Sequence, residues 1–162
     1  MRRARVAAVI ALIALMGGCL SGGCGSGPTM TPPAPFDPTC EGRAEPYFAG
    51  IEKTSAGGEI TVRIVSATPA PPANTDDNMW TVQVLDAAGA PMTGATIVAA
   101  PYMVDHGHGA PNIIGTETAS GSYDLAPLYL KMTGFWQITI RAAPSGSVLE
   151  SRVVFPFCIP PI

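Results

Sequence analysis

From about residue 59 onward, apolar and polar positions alternate with a period of two. In Glu59-Ile60-Thr61-Val62-Arg63-Ile64, the residues Ile60, Val62 and Ile64 share one side while Glu59, Thr61 and Arg63 share the other, because successive strand residues face opposite sides of a sheet. The same alternation runs through Trp80–Val84 and Trp136–Arg141, each opened by a tryptophan. Such spacing predicts strands with one buried and one wet face. Further strands are expected near Tyr47–Glu52, Ala95–Tyr102, Ile113–Glu117, Tyr123–Leu125, Leu128–Met132 and Val148–Phe157. Turn chemistry separates them at Asp86–Pro91, Ser120–Ser122 and Pro144–Gly146. Pro156 cannot donate a ladder hydrogen bond, so the last strand is expected at a sheet edge or bulge.

Seven to nine short strands joined by such turns imply an all-β fold, an antiparallel Ig-like β-sandwich. Composition agrees: 18 glycines and 17 prolines make up over a fifth of the 162 residues, only 13% are charged, and 47% are hydrophobic. A helical bundle or coiled coil is excluded, and a packed core is within reach. The proline-rich stretch Ala67–Asn78 reads as a long surface loop. Its Asn74-Thr75-Asp76-Asp77-Asn78 cluster lacks the spaced ligands, central glycine and distal glutamate of a calcium loop, so it is expected to be a solvated turn.

The amino terminus predicts a compartment. Met1–Arg5 is basic, and Val6–Met16 is an apolar run about half the ~20 residues a membrane-spanning helix requires. This is the pattern of an export signal. Leu15-Met16-Gly17-Gly18-Cys19 resembles a bacterial lipobox, with Cys19 as the lipidated residue; Cys24, after Ser21-Gly22-Gly23, is the second candidate, and a soluble exported protein the third reading. Acyl chains on Cys19 would hold the chain at a membrane. Leu20, where an inner-membrane retention signal would carry aspartate, points to the outer membrane, with the domain in the periplasm or at the cell surface. Residues 1–18 are thus the expected signal peptide, 19–39 a lipidated cysteine and Gly/Ser/Pro-rich tether, and 40–162 the β domain. Loss of Arg2, Arg3 and Arg5 with the leader takes nine Lys and Arg down to six against twelve Asp and Glu. A nucleic-acid surface is excluded on that charge, and the partner expected is the membrane through its lipid anchor.

Four cysteines in an exported chain invite disulfides. With one taken by lipid, Cys40 and Cys158 stand at the two ends of the domain, either bonded as a clamp or held as buried thiols.

Candidate chemistry is confined to one loop. Both histidines, His106 and His108, flank Gly107, and Met103 stands three residues before the first. In an extended segment, residues two apart project to one side, so both rings can converge on one ion. Imidazole suits copper, zinc, nickel and iron, whereas a thioether shifts preference toward Cu(I). Met132 is the candidate fourth ligand, and Asp105 a candidate acceptor for a ring N–H. The alternative is a plain turn with core methionines, in a non-catalytic structural or interaction module of the envelope. No nucleophile elbow, zinc-protease helix, P-loop or dinucleotide fingerprint is present, so no enzyme is expected.

Asp86–Ala95, Met103-Val104-Asp105-His106-Gly107-His108-Gly109, Gly121-Ser122-Tyr123 and Met132-Thr133-Gly134-Phe135-Trp136 together resemble the YtkA-like domain in order and spacing. The likeness runs from about Trp80 to Arg141, with Met92 where valine and Val104 where proline is usual. It implies an exported Ig-like β-sandwich, similar to envelope domains associated with copper handling.

Overall fold

The computed structural model describes residues 40–75 and 77–161. The expected signal peptide, the lipidation candidates Cys19 and Cys24 and the expected tether lie outside the described residues.

Among the described residues there are ten strands: β1 (Glu52–Thr54), β2 (Ile60–Thr68), β3 (Asn78–Asp86), β4 (Thr96–Met103), β5 (His108–Gly109), β6 (Ile113–Ile114), β7 (Thr116–Ala119), β8 (Ser122–Leu128), β9 (Gly134–Ala143) and β10 (Ser151–Ile159). One sheet has the order β1-β2-β3-β8-β7 and the other β10-β9-β4-β5, with β6 also paired to β4. All the pairings are antiparallel. The inward residues of the first sheet, among them Val62, Ile64, Trp80, Val82 and Leu125, form one core with Ile97, Trp136, Ile138, Phe155 and Phe157 of the second. The result is an all-β sandwich, as the alternation predicts. At about 0.8 kcal/mol per buried CH₂, this shared core is what holds the two sheets together.

The strand count exceeds the expected seven to nine because the Ile113–Glu117 stretch changes sheets and His108–Gly109 forms a short strand of its own. Its first half, β6, pairs with β4, and its second half, β7, with β8. Gly115 sits at the crossing, where an added Cβ would lie 3.1 Å from Ile97 Cβ and 3.2 Å from Leu125 Cδ2. Two expected strands are shorter than their patterns. Residues 47–51 are not a strand, although Gly50 donates to the Ile64 carbonyl and Ile64 to that of Ile51. The Leu128–Met132 pattern ends at Leu128, beyond which Leu130 donates to the Thr75 carbonyl. In β2 a bulge between Ile64 and Ser66 shifts the buried phase from Ile64 to Ala67 and leaves Val65 exposed.

Asn78 corrects the picture of a solvated turn. It is fully buried, and its side-chain amide donates to the carbonyls of Ala73, Thr75 and Leu128 while its oxygen accepts from the Ala73 amide. The loop closes on this one side chain. At the other end of the fold, β10 is an edge strand, and the Pro156 carbonyl accepts from the Glu45 amide. Cys40 and Cys158 form a disulfide with Cα atoms 5.7 Å apart, within the range such a bond requires.

Candidate metal centre

β4 ends at Met103 and passes into a single 3-10 turn, Val104–His106. Gly107 then adopts φ 67°, a left-handed conformation that favours glycine, and its N–H bonds back to the Met103 carbonyl at 3.0 Å. That reversal lays β5 against the end of β4, with Met103 opposite His108 and Tyr102 opposite Gly109. The two histidines are therefore not successive same-side positions of an extended segment, as the spacing suggests. His106 closes the turn and His108 opens the next strand. Their rings still meet edge to face, with centroids 5.8 Å apart, and both side chains are exposed. An imidazole nitrogen lies about 2.0–2.1 Å from a bound first-row ion, so rings sharing one ion have centroids within about 6–6.5 Å. The observed separation fits.

Met103 lies opposite His108 on one side and opposite Trp136 on the other. Residues directly opposite across strands share a face, so His108, Met103 and Trp136 form a row on the inner side of this sheet. Met103 is only 2% exposed. Met132 reaches the same place from the loop before β9: its carbonyl accepts the Trp136 indole N–H at 2.8 Å. His108, Pro111, Tyr129, Lys131, Met132 and Trp136 line a mostly apolar groove of about 510 Å³. The structure thus brings His108 and Met132 to the groove beside Trp136, with Met103 opposite both His108 and Trp136 in the register, while His106 does not line the groove and touches it only through the His108 ring.

Asp105 has a different place from the one expected. Its two carboxylate oxygens accept from Arg43 at 2.7 and 3.1 Å, and the same guanidinium stacks 4.1 Å above the Phe135 ring. The carboxylate therefore fastens the loop to the amino-terminal segment, where the spacing had suggested a role orienting an imidazole. Arg43 carries no local signal, being 62 residues away in the chain. Trp136 was legible as an inward residue; that it borders the groove follows only from the pairing of β4 with β9. Among the described residues no three His, Cys, Asp or Glu side chains gather as a metal cluster. Any ion held here would lean on thioethers, and two methionines with imidazole make a soft donor set that fits copper as Cu(I) better than a hard cation.

A YtkA-like family model matches residues 54–141, just over half of the sequence. The chain belongs to the YtkA-like family. No curated protein matches it. Among solved structures, this YtkA-like chain is similar to a copper-bound variant of FetP from uropathogenic Escherichia coli, with 12% identity and a TM-score of 0.45 over 70% of this chain and 97% of that one. The family match covers β2–β8 and most of β9 of the YtkA-like chain, and so takes in both the Met103–His108 turn and the Met132–Trp136 approach to β9.

Proposed function

We propose that this YtkA-like domain is a non-catalytic copper-binding module of the cell envelope, displayed from a membrane by lipid on Cys19. Met103 and His108 are its central ligands, with Met132 and the neighbouring His106 completing the set. The observation that carries this reading is the register of β4 and β5, which puts a buried thioether directly opposite an imidazole beside a groove that Met132 also lines. Soft sulfur and borderline nitrogen donors, with Asp105 engaged by Arg43, favour a monovalent soft ion.

The test is an anaerobic titration of the purified protein with Cu(I) against a competing chelator. The parent should bind one equivalent. Met103→Leu keeps the buried volume, so the fold should survive, yet Cu(I) affinity should fall by an order of magnitude or more while Zn(II) binding, which rarely uses a thioether, changes little. The double variant His106→Ala, His108→Ala should lose stoichiometric binding with an unchanged circular dichroism spectrum, since both rings are exposed. Equal affinity of that variant and the parent would leave the loop as a turn and the domain as a structural or interaction module.

A further inference from the structure

Trp80 and Trp136 look alike in the sequence, each leading an alternating strand, but the fold uses them differently. Trp80 packs edge-on against Phe157, with ring centroids 5.6 Å apart, and is absent from the groove. Trp136 borders the groove beside His108 and Met132, and stands opposite Met103 in the register of β4 and β9. Its indole N–H is held by the Met132 carbonyl at 2.8 Å. That bond uses the ring's one polar group and fixes its orientation, leaving the π system as what the ring can offer a cation.

We propose that Trp136 is a further member of this site, its indole π system covering a soft monovalent cation held by Met103, His108 and Met132 and making the site selective for Cu(I) over divalent ions. The inference rests on the copper reading above. Cation–π attraction is strongest where the ring is desolvated, and Trp136 is 2% exposed. Among the described residues, those lining the groove are apolar or neutral apart from Lys131. Bringing a charge into a mostly apolar setting costs more for a divalent ion than for a monovalent one. Thioethers and an indole are neutral donors whose softness suits the ion of lower charge.

The test uses Ag(I), an air-stable soft monovalent ion, with Zn(II) as the contrast, and reads tryptophan emission and calorimetric affinity together. A Trp80→Phe variant makes Trp136 the single emitter; Trp80 Nε1 has no hydrogen-bond partner, so that change breaks no bond. One equivalent of Ag(I) should quench most of the remaining emission, and Zn(II) should leave it unchanged. Trp136→Phe should lower Ag(I) affinity by about tenfold or more, with Zn(II) affinity unaltered. If Trp136→Phe does not fold, the quenching in Trp80→Phe decides alone. Calorimetric binding of Ag(I) without quenching of Trp136 would overturn this inference and leave the copper reading standing. No Ag(I) or Cu(I) binding at all would overturn both.

Discussion

Tyr123 on β8 is buried, and its hydroxyl donates to the Met92 carbonyl at 2.6 Å while accepting from the Ala95 amide at 2.9 Å. One side chain thereby pins the turn that leads from β3 into β4. Burial pushes the phenol above its ordinary value of 10.0; the Ala95 N–H acts in the opposite direction, and the nearby Glu117 charge adds to the rise. The folded state thus holds this proton more tightly than the unfolded chain does. Its stabilising effect is fully present below the unfolded value and is lost as pH climbs through 10 toward the folded one. Tyr123→Phe should cost about 1–3 kcal/mol near neutral pH, because two backbone groups at the turn lose their partner. It should also flatten the fall in stability above about pH 10. Urea titrations of parent and variant at pH 7 and pH 10.5 check both, and an unchanged alkaline slope would place the titration elsewhere.

At the scale of elements, the period-two pattern was enough to locate β2, β3, β4, β8, β9 and β10, because each has one face in the core and one in water. What the pattern could not show are features made by contacts between distant residues. The buried role of Asn78 depends on carbonyls at Ala73, Thr75 and Leu128, and the sheet change at Gly115 depends on Ile97 and Leu125. For the site, the residue types were legible but their arrangement was not: Gly107 turns the chain between the histidines, and Arg43 claims Asp105. That last contact predicts how the loop is held. The pair is about a third exposed, so the Arg43–Asp105 bridge and its stacking on Phe135 together stabilise by only about 1 kcal/mol. Local order should depend on it more than global stability does. In Arg43→Ala or Asp105→Asn, hydrogen exchange at the Gly107 amide should accelerate several-fold while amides in the middle of β4 keep their rates. Unaltered exchange at Gly107 would mean that the 3-10 turn holds itself.

For the molecule as a whole, the decisive link joins the two ends of the domain. Cys40 and Cys158 are 118 residues apart, so their bond closes nearly the whole domain into one ring. Cys158 stands opposite Phe135 across β9 and β10, and Phe135 lies beneath Arg43, whose amide bonds to the Cys40 carbonyl. The disulfide, the Arg43 stack and the grip on Asp105 therefore form one connected run along the outside of the second sheet, ending at the loop that carries His106 and His108. The pairing was accessible from the position of the two cysteines in a chain expected to be exported; its connection to the histidine loop was not, because it passes through an arginine with no motif around it. Chain-entropy reasoning assigns a ring of this length about 4–5 kcal/mol, exerted mainly on the unfolded state. The double variant Cys40→Ala, Cys158→Ala should then unfold at a lower urea concentration and with a larger m-value, since its unfolded chain is free to expand. The same variant should show the faster Gly107 exchange expected of Arg43→Ala, because the segment carrying Arg43 loses its covalent anchor. A drop in stability with Gly107 exchange unchanged would separate the two effects, showing that the Glu45 amide bond to Pro156 is enough to keep Arg43 in place.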